Sequence, residues 1–334
     1  MCFACDWEFL FRSLKSINMT RNFNDSLNFI IFAFISFLLT LNCSGLGDTG
    51  QVTEITNKPE ISLVLAASEI LVGKNRFPFG MLSEKGSFLR DSPVEVEFFS
   101  LEPEFLSQSG LKTKAYFQEI KGSTPHRHVD GEIHMHEEVV GIHVVDQVEF
   151  NEAGTWVAKI YAEGETDFGL FPKELYFQVI KTSSTLMVGD SAPPSRNPVI
   201  TSSVAFEEIT THHPPIPEFY QLTIEDALKE KKPLVVVFST PGFCVSRMCG
   251  PVTDVVAEVL SNHIESTNFI HVEPWDLESA RRGGPLIWSK VASEWKLPSE
   301  PWVFVIDTEG KIFARFEGTV SVDELEKALA NLLS

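Results

Sequence analysis

The pattern of apolar and polar residues changes once along the chain. From Ile61 to about Lys181, short segments such as PVEVEFF and TWVAKIY recur at regular spacing, with turns between them. Beyond Phe219, continuous apolar runs alternate with segments in which apolar residues recur every three or four positions. The first pattern is typical of antiparallel strands, and the second of strands alternating with helices. The chain is therefore predicted to contain an all-β region followed by an α/β region.

The α/β region is built around Leu234–Phe238, an apolar run rich in β-branched valine, which predicts a strand buried on both faces. Ser321 and Glu324 form a capping box for the last predicted helix. The elements predicted after the first strand are a helix from about Pro251, a strand at 268–272, a helix at 286–295, strands at 302–307 and 312–316, and a helix at 322–333. The predicted order is β-α-β-α-β-β-α.

Two cysteines, Cys244 and Cys249, lie between the first of these strands and the helix that follows it. Unpaired amides and the helix dipole at such a position favour thiolate over thiol. A continuous helix across 244–249 would hold the two Cα atoms beyond the roughly 7 Å limit for a disulfide, so we expect a loop there. Because so small a disulfide loop adds little stability, a redox or metal role is favoured, and a purely structural bond is the alternative.

The element order and the sequence C-G-P at Cys249–Pro251 resemble the thioredoxin fold. By this resemblance, Pro301 is the counterpart of the family's cis-proline, which lies against the active-site cysteines. The family sequence C-G-P-C has a second cysteine where this chain has Val252. Here the second thiol lies upstream at Cys244, so the pair has C-x4-C spacing.

The N-terminal part contains an apolar stretch, Phe29–Leu41, that is shorter than the roughly 20 residues of a membrane span and has the length of a signal-peptide core. Leu41-Asn42-Cys43 resembles a bacterial lipobox, which implies lipidation of Cys43; a plain membrane anchor is the alternative. Either Met1 or Met19 could start the chain. Export would leave Cys244 and Cys249 as the thiols available to pair in an oxidising compartment.

The chain is thus predicted to be organised in five parts. The β region has no cysteine, and its regularly spaced strands predict an immunoglobulin-like sandwich. The parts are a signal peptide with a lipobox (1–43), a tether (44–57), a β-sandwich (58–182), a Pro-rich linker (183–219) and a thioredoxin-like domain (220–334).

Residues from Gly189 onward resemble exported bacterial thioredoxin-domain lipoproteins that carry a β-sandwich ahead of the redox domain. The resemblance implies a thiol-disulfide oxidoreductase, lipid-anchored in the cell envelope, that acts on protein thiols or disulfides and requires no cofactor. Cys249 is expected to be the nucleophile because it is nearest the helix N-terminus, with Cys244 as the resolving thiol and Pro301 shaping the substrate groove. A net charge of −19 disfavours nucleic acid as a partner.

A second candidate site lies in the β region, where four histidines flank the hairpin signal Asp130-Gly131, namely His126, His128, His134 and His136. The spacing H-x-H on a strand directs two imidazoles to one face and suits copper(II), with nickel and zinc as further candidates. A two-residue turn would put the two pairs on opposite faces, whereas a turn one residue longer would bring all four together. Solvated polar residues of a hairpin are the alternative.

Two other functions are compatible with these motifs. Copper chaperones of cytochrome oxidase assembly resemble this chain in their fold and extended cysteine spacing, but the distal histidine of that family has no match here. His271 lies within a predicted strand and is expected to be a core residue. A binding module with a vestigial redox site is the third possibility, because sandwich domains commonly recognise partners.

Overall fold

The computed structural model describes residues 61–83, 90, 94–102, 110–120, 126–127, 132–134, 140–162 and 172–334. All of them belong to one compact unit, Asn57–Ser334. They form a mostly-β N-terminal region and a C-terminal α/β domain. In the described part of the chain, no helix combines the length and the apolarity that a membrane crossing requires. The predicted signal peptide, tether and lipidated Cys43 lie outside the described residues.

The β region contains ten described strands, and in β4 every second residue is buried, as the sequence pattern predicts. The strands are β1 (Ser62–Leu65), β2 (Ile70–Leu71), β3 (Gly73–Leu82), β4 (Val94–Ser100), β5 (Leu111–Ile120), β6 (His126–Arg127), β7 (Ile133–His134), β8 (Val140–Phe150), β9 (Gly154–Ala162) and β10 (Lys173–Ile180).

Eight of these strands form one sheet in the order β1-β3-β8-β5-β4-β9-β10-β2, and β6 pairs separately with β7. Strand β5 joins the two halves of the sheet, because residues 111–115 pair with β4 and residues 116–120 pair with β8. Inward-facing residues of both halves form one core, in which the rings of Phe77 and Phe98 lie 4.9 Å apart between centroids. The sheet therefore curls around a single aromatic core.

The α/β domain has a four-stranded sheet in the order β12-β11-β13-β14, formed by β11 (Leu234–Phe238), β12 (Asn268–Val272), β13 (Trp302–Ile306) and β14 (Ile312–Glu317). Strand β11 runs parallel to β12 and antiparallel to β13. The helices are α1 (Phe206–Ile209), α2 (Ile224–Lys229), α3 (Cys249–His263), α4 (Leu277–Arg281), α5 (Lys290–Glu294) and α6 (Val322–Leu333), and a 3-10 helix spans Pro217–Tyr220. The predicted strands and the last helix are confirmed, with ends that differ by one residue at most.

Helices cover both faces of this sheet, which explains the continuous apolar run of its central strand. Val235 and Val237 of β11 pack in one layer with residues of α3 and α6. Val236 and Phe238 pack in the opposite layer, which contains Trp295. The β11 side chains alternate between the two layers, and the cysteine loop follows the end of this fully buried strand.

The helix predicted at 286–295 is shorter in the structure and spans Lys290–Glu294. Ser289 caps it by accepting a hydrogen bond from the Ala292 backbone N–H. Residues 284–287 have no regular secondary structure, and Trp288 forms an isolated β-bridge with Trp275. Aromatic stacking at this bridge, with 3.8 Å between ring centroids, replaces the expected first turn of the helix.

The Pro-rich segment 183–219, predicted to be a linker, packs against the α/β domain. The Ala192 N–H donates to the carbonyl of Gly310 at 2.9 Å. The buried Asn197 side chain accepts from the Ile224 N–H at 2.7 Å. Proline lacks a backbone donor, so polar side chains such as Asn197 supply contacts that the backbone of this segment cannot make.

Contacts also join the β region to the α/β domain. Arg76 Nε of β3 donates to Glu324 Oε1 of α6 at 2.8 Å, and Arg76 Nη2 donates to Thr319 Oγ1 at 3.2 Å. The Ser68 N–H donates to Glu317 Oε1 at 2.8 Å. These bonds hold the β region against α6 and β14 of the α/β domain.

Candidate redox site

The two loop cysteines form a disulfide. The Cα atoms of Cys244 and Cys249 are 6.0 Å apart, which lies within the usual range for this bond. Residues 245–248 are not helical, and Arg247 has a φ of 61°, in the left-handed region. Helix α3 begins at Cys249. The expectation that the C-x4-C spacing requires a loop between the two cysteines is confirmed.

The two cysteines differ in exposure. Cys249 is 0% exposed, whereas Cys244 is half-buried, and Val245 beside it is 91% exposed. An attacking thiolate must reach a sulfur from solvent, so Cys244 is the accessible end of the disulfide. Exposure thus favours attack at Cys244, whereas the helix N-terminus favours Cys249, and the assignment of Cys249 as the nucleophile stays a prediction.

The N-terminal turn of α3 contains no acidic residue, and its N-cap residue Met248 provides no side-chain hydrogen bond. The positive end of the helix dipole therefore acts on Cys249 without a competing negative side chain in that turn. Thr253 Oγ1 donates to the Cys249 carbonyl at 2.8 Å and fixes the first turn of the helix.

Pro301 lines the same cavity as Ser246 and Met248 of this loop. The Glu300–Pro301 peptide bond is cis, and the Pro301 carbonyl accepts from the Gly318 N–H at 2.9 Å. Pro301 and Met248 line a mostly apolar cavity of about 400 Å³. The β region contributes the opposite wall through Leu65, Ala66 and Ile142.

Glu300, which the sequence analysis did not select, lies next to the disulfide. One of its carboxylate oxygens is within 4.8 Å of both sulfurs. Oε1 accepts from Trp275 Nε1 at 2.6 Å, and Oε2 is buried and makes no hydrogen bond of normal geometry to a described residue. Burial raises the pKa of Glu300 to about 7, against the opposing effects of hydrogen bonds from Trp275 and from the side chain and backbone of Thr240. The sequence could have indicated this residue, because Glu300 immediately precedes the expected cis-proline.

A second buried carboxyl, Glu273, follows the end of β12. It accepts hydrogen bonds from Thr210 Oγ1 at 3.1 Å and from Thr211 Oγ1 at 2.9 Å. Burial raises its pKa to about 8 despite these bonds. Thr211 Oγ1 in turn accepts from the Gly242 N–H at 2.8 Å. Glu273 therefore holds the Pro-rich segment against the start of the cysteine loop.

His271 is a core residue, as expected from its place in a strand. Its Nε2–H donates to the Ser239 carbonyl at 2.9 Å, so Nδ1 accepts from the Tyr220 hydroxyl at 2.7 Å. Burial lowers the pKa of His271 to about 3, which keeps the ring neutral. Ser239 Oγ also lies 2.6 Å from Thr253 Oγ1, and this contact links the buried histidine to the first turn of α3.

The histidine hairpin is described in part. His126 of β6 lies directly opposite His134 of β7, and Arg127 lies opposite Ile133. This is the register of the longer turn, the one that the sequence analysis required for all four histidines to share a face. His128 and His136 lie outside the described residues.

The sulfurs and the Glu300 carboxylate are donor types that hold metals, and their atoms lie within 4.8 Å of one another. With the cysteines joined in a disulfide, however, this cluster offers one carboxylate and no thiolate, which is not a set of ligands for a metal ion. The arrangement instead suits disulfide chemistry: an accessible sulfur, a buried sulfur at a helix N-terminus and a carboxyl between them and the cis-proline.

Comparison with known proteins agrees with the architecture of the α/β domain. A family model described as a thioredoxin-like domain matches residues 220–333. The C-terminal part of the chain is therefore a thioredoxin-like domain carrying a Cys244–Cys249 pair. Searches of curated proteins and of solved structures found no match to the chain.

Proposed function

We propose that the protein is a membrane-anchored, extracytoplasmic thiol-disulfide oxidoreductase that uses Cys244 and Cys249. The observation that carries the proposal is the disulfide between β11 and α3 of a thioredoxin-like domain, with one accessible sulfur beside the cis-proline cavity. A disulfide that served only to close this short loop would contribute little stability. Strand-to-helix placement also gives the buried sulfur a helix N-terminus that stabilises it as a leaving thiolate.

The order of steps in the exchange follows from the different exposure of Cys244 and Cys249. A partner thiolate attacks Cys244 Sγ, the bond between the two sulfurs breaks, and its electron pair goes to Cys249 Sγ. The product is a mixed disulfide between the partner and Cys244. A second thiolate of the partner then attacks the partner's own sulfur and releases Cys244, so the pair is reduced and the partner oxidised. In the reverse direction Cys249 is the resolving thiolate.

The partner is a protein segment bound in the cavity beside the disulfide. Met248 and Pro301 form the wall on the thioredoxin-like side, and Ala66 and Ile142 form the wall on the β side. Because both walls are largely apolar, an apolar side chain next to the partner's cysteine fits this cavity better than a charged one. The β region thereby takes part in substrate selection rather than serving only as a spacer.

The β region is of immunoglobulin-like type in this proposal. Its sheet order β1-β3-β8-β5 corresponds to the strand order A-B-E-D of such sandwiches, and β4-β9-β10 corresponds to C-F-G. The short strand β2 runs parallel to β10 at the edge of the second half. Attachment to a bacterial membrane rests on the apolar stretch 29–41 and the lipobox-like sequence ending at Cys43.

The reduction potential of the Cys244–Cys249 pair tests the proposal. Protein equilibrated in dithiothreitol or glutathione buffers is alkylated, and the reduced fraction is measured by mass; the double serine variant of the two cysteines is the control. A potential between about −270 and −120 mV is expected for exchange. A value well below roughly −300 mV would identify an inert structural bond and overturn the proposal.

Copper(II) binding by the hairpin is a second candidate function, favoured by the observed register of His126 opposite His134. Titration of the oxidised protein with copper(II) should give stoichiometric binding that His126→Ala or His134→Ala weakens. His263→Ala is the matched control, because His263 lies in α3 and pairs with Glu326. Equal binding by all of these variants would leave the hairpin histidines without a metal role.

A further inference from the structure

We propose that Glu300 is the group that exchanges a proton with Cys249 when the disulfide is broken and re-formed. The inference rests on the proposed disulfide exchange and adds a step to it. It names a residue outside the cysteine pair and outside the helix that carries Cys249. Four observations of the site carry it: the position of the carboxyl, its anchoring, the burial of Cys249, and the neighbouring charged groups.

The position of Glu300 suits proton transfer. A carboxylate oxygen lies within 4.8 Å of Cys249 Sγ, a separation that one water molecule spans. The residue also lines the cavity beside the disulfide, together with Met248 and Pro301. The carboxyl is therefore at the place where the sulfurs separate during exchange.

The side chain is held in this position. Trp275 Nε1 donates to Oε1 at 2.6 Å, and the Trp275 ring stacks on Trp288 with 3.8 Å between centroids. Oε2 is buried and makes no hydrogen bond of normal geometry to a described residue, although the Thr240 hydroxyl and N–H lie near enough to lower the pKa of this carboxyl. One oxygen thus fixes the carboxyl, and the other retains the capacity to bind a proton or to donate one.

Cys249 needs such a partner because it is fully buried. When a partner thiolate breaks the disulfide at Cys244, a thiolate appears at Cys249 in surroundings that favour the neutral thiol, apart from the helix N-terminus. The other carboxyls facing this region are engaged elsewhere, Glu273 by Thr210 and Thr211 and Glu317 by Ser68 and Ser299. Arg247 lies in the loop between the cysteines, and its guanidinium group has hydrogen-bond donors but no acceptor atom that could take the thiol proton.

One proton moves between Glu300 and Cys249, in opposite directions during reduction and oxidation of the pair. During reduction of the pair, the Cys249 thiolate takes the proton of the Glu300 carboxylic acid, which leaves a thiol and a carboxylate. During oxidation, the carboxylate takes the thiol proton as Cys249 Sγ attacks Cys244 Sγ, and the partner departs as a thiolate. Because burial raises the pKa of Glu300 to about 7, both forms of the carboxyl are present at neutral pH, as a general acid and base requires.

The rate of reduction by dithiothreitol as a function of pH tests this step. Stopped-flow tryptophan fluorescence of the whole protein gives the rate, which is divided by the fraction of dithiothreitol present as thiolate. For the wild type, this corrected rate should fall as the pH rises through about 7, since the acid form of Glu300 is lost. Glu300→Gln should abolish the inflection and lower the rate below pH 7 by about tenfold or more.

Two further variants separate proton transfer from a structural effect. Glu300→Asp keeps a carboxyl and should retain an inflection at reduced rate. Glu273→Gln removes the other buried carboxyl near the site and should retain the inflection. Glutamine at position 300 can still accept the Trp275 hydrogen bond, and thermal unfolding verifies that the fold is kept.

The outcomes distinguish this inference from the function on which it rests. Fast reduction of the wild type, with an inflection that Glu300→Gln leaves unchanged, would overturn the role of Glu300 and leave disulfide exchange intact. Failure of the wild-type pair to exchange with dithiothreitol or with protein thiols would overturn both.

Discussion

Met248, the residue before the buried cysteine, packs against Ile142 of the β region. Val144 belongs to the same cluster, and Ala66 packs against it. The N-cap of α3 is thus in contact with one strand, β8, and with the loop after β1 in the other domain. The position of Cys249 therefore depends on how the β region is docked, and a change in this contact should alter both stability and exchange.

Met248→Ala should lower the free energy of unfolding by about 2 to 3 kcal/mol, because it removes a buried side chain and leaves a cavity between the two domains. Urea denaturation measures the change. Val245→Ala is the matched control in the same loop: Val245 is 91% exposed, so its change should stay within about 0.5 kcal/mol. Equal effects of the two variants would show that the Met248 contact is not formed.

The bond between Arg76 and Glu324 joins the same two domains farther from the cysteines. Arg76 also donates to Gln118 and Thr319, so Arg76→Met should cost about 2 kcal/mol of unfolding free energy. The pKa of Glu324 is lowered overall, because the charge of Arg76 and hydrogen bonds outweigh the effect of burial. A lowered folded-state pKa gives stability that is present above the unfolded pKa and lost in acid. The stability difference between wild type and Arg76→Met should accordingly shrink below about pH 4, in denaturation curves measured at several pH values.

The buried carboxyls should make stability fall as pH rises above neutral. Glu273 and Glu300 have folded-state pKa values of about 8 and about 7, against a reference value of 4.5, so each contributes stability at low pH that is lost as pH rises toward its folded value. His271 and His143, with pKa values lowered to about 3 and about 4 by burial, act in the opposite direction up to their reference value of 6.5. Below pH 6.5 the carboxyls and the histidines have opposite effects on the free energy of unfolding. Between about pH 6.5 and 8 only the carboxyls of these four groups change it with pH.

Unfolding free energy measured across this window should decline by at most about 1.4 kcal/mol per pH unit for each carboxyl that titrates. Glu273→Gln should flatten the decline because glutamine does not ionise. Thr253→Val, which removes a hydroxyl from the buried network without removing a titrating group, is the control and should leave the slope unchanged. A wild-type stability that does not vary between pH 6.5 and 8 would contradict the burial of these two carboxyls.

Local sequence pattern was sufficient for the elements whose burial is decided within the element. The strands at 234–238 and 268–272 and the helix at 322–333 coincide with the structure, because continuous valine-rich runs and a capping box set their limits. The helix predicted from residue 286 begins instead after Ser289. In that case a contact with Trp275, remote in sequence, overrides the local period.

The cysteine pair could be found from the sequence, but its surroundings could not. Glu273 and Glu300 come near the loop because β12 and β13 flank β11 on its two sides, and that juxtaposition exists only in the folded sheet. The roles of the two cysteines depend on exposure, which the docking of Met248 on the β region helps to set. The hairpin register was likewise left open by the turn residues, since two turn lengths fitted the same pattern.

Cys43→Ala should abolish lipid attachment if the lipobox prediction is right. The expected result is either an uncleaved precursor or protein released from the membrane. Cell fractionation and metabolic labelling with a fatty acid measure this result. Cys5→Ala is the control, since that cysteine precedes the predicted signal core and should leave processing unchanged. Unchanged cleavage and labelling of Cys43→Ala would refute lipid anchoring.

Single serine variants should assign the roles of the two thiols. With Cys244 as the accessible sulfur, Cys249→Ser removes the resolving thiol, and the mixed disulfide between Cys244 and the partner should accumulate. Cys244→Ser leaves Cys249, which is 0% exposed, and should trap few or no partners. Non-reducing gels and mass spectrometry after acid quenching measure the trapped species. The converse result, with trapping by Cys244→Ser, would restore the assignment made from the helix N-terminus and would require the loop to open before attack; trapping by neither variant would argue against disulfide exchange.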